Sequence, residues 1–178
     1  MTKGDDDNTV PTGQAILGMA LVLRNLSHTL VDRGLHVFLD LKWHDIPNTV
    51  SGAVANARDL GVRMTTVHAL GGREMMAAAA RAAGSELDVV AVTVLTSHTP
   101  ASYGEATGRN SPDLVEDAIR LSRMALEAGL AGVVCSPFEA RPLRAIMGGD
   151  PLGVVPGPLN SQFTYQYGKT VAVSGDRK

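Results

Sequence analysis

Leu35-His36-Val37-Phe38-Leu39-Asp40-Leu41-Lys42-Trp43-His44-Asp45-Ile46-Pro47-Asn48-Thr49 is the stretch on which the fold turns. Residues 35–41 are mostly apolar and read as a short strand. Pro47 then marks the opening of a helix, because a proline in the first helical turn gives up only an N–H that has no partner there. A strand that is apolar on both faces and leads straight into a helix is the unit of a parallel sheet covered by helices.

The same alternation extends outward in both directions. Upstream, Ile16, Leu17, Met19, Ala20, Leu23, Leu26 and Leu30 recur at helical spacing over residues 14–33, and Gly34 stops that helix. Downstream, residues 62–68 read as a strand, 73–83 as a helix, and 87–95 as a valine-rich strand. A polar loop is expected over 96–111, then a helix over 113–128 ending at Gly129. A strand over 130–135, a helix over 138–147 and a short strand at 153–155 follow. Right-handed crossovers turn such a series into a doubly wound sheet or a barrel. About five strand-plus-helix units are recognisable, whereas a complete barrel has eight in roughly 200–250 residues. The expected fold is therefore α/β, of the (β/α)8 TIM-barrel type but incomplete. Residues 1–13 read as a loose leader, 14–155 as one barrel-like domain, and 156–178 as an atypical C-terminal segment with one candidate strand at 170–174.

Composition narrows the function classes. A chain of 178 residues with 44% hydrophobic and 19% charged residues is a globular domain. Aromatics are only 4%, so Val, Leu, Ala and Met must fill the core. A net charge of −2 gives no bulk attraction to nucleic acid or to an anionic membrane. Cys135 is the single cysteine, which excludes an intrachain disulfide and fits a reducing compartment. The apolar run at 15–23 follows the acidic Asp5, Asp6 and Asp7 and is too short to span a bilayer. A soluble cytoplasmic protein is expected.

The chemistry concentrates at the end of the first quoted strand. Asp40 and Lys42 are two apart, so strand alternation puts them on one face, at the carboxyl end where barrels place their active sites. Asp45 follows in the loop. Such a cluster is costly unless its charges are paired or used, and a lysine between two acids is a fixed proton donor in a negative field. By spacing alone, a structural ion pair is the ordinary reading of such a group. The Ile46-Pro47-Asn48-Thr49 that follows makes the block far more specific.

Asp40-Leu41-Lys42-Trp43-His44-Asp45-Ile46-Pro47-Asn48-Thr49 resembles the signature of bacterial orotidine 5'-phosphate decarboxylases, with Trp43 in place of an expected phenylalanine. The resemblance continues through Asp59-Leu60-Gly61-Val62, Val67-His68-Ala69 and Gly71-Gly72-Arg73-Glu74-Met75-Met76. It takes in Ala91-Val92-Thr93-Val94-Leu95-Thr96-Ser97 and Gly132-Val133-Val134-Cys135-Ser136, and covers roughly residues 28–147. It implies conversion of orotidine 5'-monophosphate to uridine 5'-monophosphate and carbon dioxide in pyrimidine synthesis. On that resemblance Lys42 is the general acid that protonates C6, and Asp40 sits against the departing carboxylate and orients Lys42. Asp45, Ile46 and Thr49 face the nucleotide of a neighbouring subunit, and Thr96 bonds the pyrimidine. The whole block from Asp40 to Thr49, with Thr96, is the implied substrate-binding set. The implied assembly is a homodimer with shared sites, using neither metal nor organic cofactor.

The ends depart from that pattern. Where the family carries a Pro-Gly-Ile-Arg-type phosphate segment, this chain has Pro156-Gly157-Pro158-Leu159, and Gln162 is only a loose counterpart of the family's phosphate-loop glutamine. No Gly-Arg pair follows. An early Ala-Leu-Asp strand is missing, and Lys3, the only lysine before Lys42, has no matching surroundings. Either the chain is a partial or frame-altered product with an intact middle, or divergent ends rebuild the lost functions; the first is the expectation. A non-catalytic barrel remnant that only self-associates therefore stands as an alternative. A magnesium-dependent sugar-phosphate decarboxylase or aldolase of the same superfamily is a further one, against which Ile46-Pro47-Asn48-Thr49 argues. Of the remaining residues, His44 reads as a loop histidine, His68 as a packed or pocket-lining one, and Cys135 as a core residue. Gly71-Gly72 reads as a tight turn, and Met75, Met76, Met124 and Met147 as packing. No spacing matches a metal cage.

Overall fold

The computed structural model describes residues 24–136, 139, 142, 143 and 152–154. The leader, residues 156–178 and the candidate strand at 170–174 lie outside the described residues. The described chain enters in a helix over residues 24–32 (α1). Strand β1 (Phe38–Trp43), helix α2 (Pro47–Asp59), β2 (Met64–His68), a 3-10 turn (Ala69–Gly71) and α3 (Gly72–Ala83) follow. Then come β3 (Asp88–Val92), α4 (Pro100–Thr107), α5 (Leu114–Glu127), β4 (Gly132–Val134) and β5 (Leu152–Val154). All four strand pairings are parallel, and the order across the sheet is the order along the chain, β1-β2-β3-β4-β5. A doubly wound sheet reverses direction at a switch point. A sheet that only advances is an arc of a (β/α)8-type barrel.

The two faces of the sheet carry two packing layers. Val67, Val89, Ala91 and Val133 belong to the main core, with Val50, Val54, Met75, Met76, Ala79, Leu121 and Ala125 from α2, α3 and α5. Met64 and Val90 cluster on the opposite side of the sheet, joined by Val134. That side is the interior of the arc. Met75 and Met76 are both fully buried, and Met124 packs against the same core, as the helical spacing predicts. Burying each such side chain contributes on the order of 1.5–3 kcal/mol. Cys135 is buried as well, and burial, then Glu139, push its thiol up to about 12. It is a packing residue with no thiolate at neutral pH.

The helix stops fall where the sequence puts them. Gly34 and Gly129 adopt φ of 77° and 90°, a left-handed conformation that carries no Cβ penalty in glycine. Asp113 caps α5 by accepting the N–H groups of Val115 and Glu116. Ser136 and Glu139 make half of a second cap, the Glu139 carboxylate accepting the Ser136 N–H at 2.9 Å.

Two expectations are corrected. The polar stretch 96–111 is not one long loop, because α4 forms within it. Thr99 and Ser102 make a reciprocal capping box, and Pro100 occupies the first turn. Tyr103 is its one large buried side chain, so the helix lacks the apolar stripe that sequence periodicity detects. The second correction concerns β1. It is not buried on both faces: among the described residues it is a sheet edge, with Phe38, Asp40, Leu41 and Lys42 exposed and Leu39 and Trp43 half-buried.

Asp117 ties α5 to the loop that follows α4. Its side chain is only 4% exposed and pairs with both Arg109 and Arg120, the latter at 3.1 Å. Both guanidiniums are about half exposed, so the pairs are screened and the buried carboxylate is the element at risk. Asp117→Ala is expected to lower the unfolding free energy by about 1–3 kcal/mol. A shift of the urea midpoint at constant slope measures it.

Candidate active site

The β1 ladder breaks where the chemistry sits. Leu39 pairs with Thr65, but the next paired residue is Trp43, opposite Val67. Four steps along β1 therefore match two along β2, and Asp40, Leu41 and Lys42 arch out of register as a bulge. Lys42 sits at φ 50°, in the left-handed region, which costs a non-glycine residue about 1–2 kcal/mol. Plain strand alternation, on which the pairing of Asp40 with Lys42 was expected to rest, does not hold across this segment. The two side chains meet nonetheless: Lys42 Nζ donates to Asp40 Oδ2 at 2.5 Å. Both are a little over 40% exposed, so the ammonium is open to solvent at the carboxyl end of the arc rather than sealed within it.

Two threonines of β2 take over where the ladder fails. Thr65 Oγ1 donates to the Leu39 carbonyl at 2.8 Å, on the helix side of the sheet. Thr66 points to the interior with Met64, accepts the Lys42 N–H at 2.8 Å and donates its own hydroxyl proton to Asp40 Oδ1 at 2.8 Å. Sequence reasoning passed over both. The available signal was two adjacent hydroxyls inside an apolar strand, since buried polar groups require partners.

The rest of the signature spreads along the rim. Leu41 is exposed, and Trp43 packs against the main core. His44 stacks on His68, with ring centroids 5.3 Å apart and planes 20° from parallel. Gly71 makes room for this contact, because a Cβ there would collide with Met75 and crowd His44 at 3.3 Å. His68 Nδ1 accepts the Leu70 N–H at 3.4 Å. Burial, and then the neighbouring His44, His98 and Lys42, hold His68 below its ordinary value of 6.5. Asp45 does not pair with Lys42, whose ion-pair partner among the described residues is Asp40 alone. The Asp45 Oδ1 accepts the Ile46 N–H at 2.6 Å. Ile46 is 65% exposed, Pro47 opens α2 as expected, and Asn48 and Thr49 are exposed in its first turn. Thr96 is exposed in the turn after β3, on the same end of the sheet as Lys42.

Two concavities lie apart from the Asp40–Lys42 pair. One of about 820 Å³ runs along α4 past Gly104 and Arg109. The other, of about 550 Å³, is lined by Leu39, Leu41 and Trp43 with residues of α1 and α2. Among the described residues, no group of three or more His, Cys, Asp or Glu is placed to hold a metal ion. No helix among them is long and apolar enough to cross a membrane. What the rim presents is an ammonium fixed by one carboxylate, flanked by two stacked imidazoles and a second, outward-facing acid. Such an arrangement can deliver a proton to a carbon whose negative charge develops beside it.

Comparison with known proteins identifies the family. The sequence model described as orotidine 5'-phosphate decarboxylase / HUMPS family matches residues 16–170. A protein of Neisseria meningitidis named orotidine 5'-phosphate decarboxylase is 47% identical over 137 residues, 75% of this chain and 55% of that protein. One of Anaeromyxobacter sp. with the same name is 52% identical over 124 residues, 70% of this chain and 54% of that protein. The chain thus spans about half the length of the curated relatives it matches. The crystal structure of orotidine 5'-phosphate decarboxylase from Lactobacillus acidophilus superposes with a TM-score of 0.70 at 38% identity, covering 75% of this chain and 62% of that one. A match to the family model over residues 16–170, with a solved member of that name superposing on the same arc of strands, places this chain in the orotidine 5'-phosphate decarboxylase / HUMPS family.

Proposed function

We propose that the chain carries the proton-donating part of an orotidine 5'-monophosphate decarboxylase. The observation that carries this reading is the Asp40–Lys42 pair, held at 2.5 Å at the carboxyl end of the arc within the family signature. In the reaction, the bond from C6 to the carboxylate breaks and carbon dioxide departs without the bonding electrons. The electron pair left on C6 takes a proton from Lys42 Nζ, which becomes a neutral amine. An ammonium already fixed beside C6 stabilises that charge as it develops, with no reorganisation at the moment of reaction. Asp40 holds the ammonium in place and stands beside the leaving carboxylate. Thr96 bonds the pyrimidine. Gripping the remote phosphate would supply much of the barrier reduction; the segments expected to do so lie outside the described residues.

A partner subunit completes the site in this reading. Asp45, Ile46 and Thr49 face outward rather than toward Lys42, which supports their service to the nucleotide of a second copy. Ile46, Leu70 and Leu95 are exposed apolar side chains just beyond the carboxyl ends of β1, β2 and β3, and exposed apolar groups there suit an isologous contact. A soluble, cytoplasmic homodimer with shared sites is the assembly that this reading proposes.

The direct assay follows loss of orotidine monophosphate absorbance. Lys42→Ala is expected to lower turnover by about 10²–10⁴-fold or more, and turnover that survives the substitution would overturn the role of Lys42. A well-folded chain with no turnover at all would favour a non-catalytic remnant, and a magnesium requirement would favour the sugar-phosphate branch of the superfamily. Ile46→Glu is expected to shift sedimentation from dimer to monomer. His68 supplies a pH test of stability. Its folded value lies below 6.5, so the unfolded chain binds the proton more readily. Its contribution is complete above pH 6.5 and is lost as pH falls through the lower, folded value. Urea midpoints at pH 5.5 and 7.5 should differ less in His68→Gln than in the parent chain.

A further inference from the structure

The bulge at Asp40–Lys42 has no ladder of its own, and one hydroxyl replaces it. Thr66 is fully buried on β2, a strand paired on both sides, and its branched side chain is stiff at χ1. A threonine hydroxyl has one proton to give and lone pairs to receive. Here the proton goes to Asp40 Oδ1 and a lone pair receives the Lys42 backbone N–H, each at 2.8 Å. The other oxygen of Asp40 receives Lys42 Nζ. The result is a closed ring: Lys42 N–H to Thr66 Oγ1, Thr66 Oγ1–H to Asp40 Oδ1, and Lys42 Nζ back to Asp40 Oδ2. Both members of the reacting pair are partly solvent-exposed and sit on an irregular strand that is the sheet edge among the described residues. Among the described residues, Thr66 is the one buried, rigid group that touches both. It fixes the backbone of the lysine and the rotation of the carboxylate at once.

We propose that Thr66 is a positioning residue for the Asp40–Lys42 pair, acting through these two hydrogen bonds and without contact to substrate. The inference deepens the decarboxylase reading and rests on it for its kinetic consequence, but the ring itself is a property of the free chain. A pair displaced by a fraction of an ångström to an ångström loses rate rather than binding, because the substrate's remote contacts are untouched.

The test compares Thr66→Val, which keeps the branched shape and removes the hydroxyl, with Thr66→Ser, which keeps the hydroxyl. Thr66→Val is expected to lower kcat by about 10–100-fold with KM within about threefold, and Thr66→Ser to restore kcat to within about threefold of the parent. Equal kcat in Thr66→Val and the parent would overturn the proposal, as would a loss confined to KM or equal damage in both variants. A second readout needs no turnover. In Thr66→Val the Lys42 amide should exchange its hydrogen at least tenfold faster, while the Val67 and Val90 amides remain as protected as in the parent. If the parent chain does not decarboxylate, the functional reading fails, and Lys42 exchange alone decides the ring: faster exchange supports it, unchanged exchange overturns it. Should Thr66→Val not fold, Thr66→Ala carries both measurements.

Discussion

A parallel strand cannot hand its chain to a neighbour through a tight turn. Each crossover must travel back along a face of the sheet, and a helix is the element that does so while satisfying its own backbone. Every consequence seen here descends from that constraint. It buries Val67, Val89, Ala91 and Val133 beneath α2, α3 and α5, and leaves Met64, Val90 and Val134 to meet on the other face. It also brings all the carboxyl ends to one rim. Asp40, Lys42, His44, His68 and Thr96 come from three successive strands or the turns after them, and their common position is dictated by topology before any side chain is chosen.

Much of this was legible in the order of residues. The valine-rich run that becomes β3, the Pro47 opening of α2, the glycine stops at 34 and 129 and the amphipathic α5 each announce themselves through periodicity or turn chemistry. The ion pair was legible too, although for an incomplete reason. Alternation along a regular strand puts Asp40 and Lys42 on one face, whereas the real strand is out of register there and the two meet across a bulge. Bulges follow from cross-strand registry, which no single stretch of sequence encodes. The same holds for Thr65 and Thr66, whose roles depend on a strand some two dozen residues away. Helix α4 escaped notice because its signals are a cap and a proline rather than an apolar stripe. The stacking of His44 on His68, with Gly71 close beside it, also spans separate turns.

The rim mixes rigid and yielding parts in a consistent way. Buried hydroxyls on β2 grip the irregular end of β1, while Asp45, bonded to the Ile46 N–H, and its neighbours Ile46, Asn48 and Thr49 stay exposed at the surface. In the proposed two-copy site the two kinds of group divide the work: some are locked before a partner arrives, others are free to meet it. The low net charge of the chain would leave such an encounter to shape and apolar contact rather than to long-range steering.

The backbone of Lys42 carries a further implication. Its torsion is one that glycine adopts freely, so the fold by itself would be better served by Lys42→Gly, and that replacement would abolish the amine. Stability and chemistry pull in opposite directions at a single codon. The lysine thus sets about 1–2 kcal/mol of backbone strain against an amine presented at the rim.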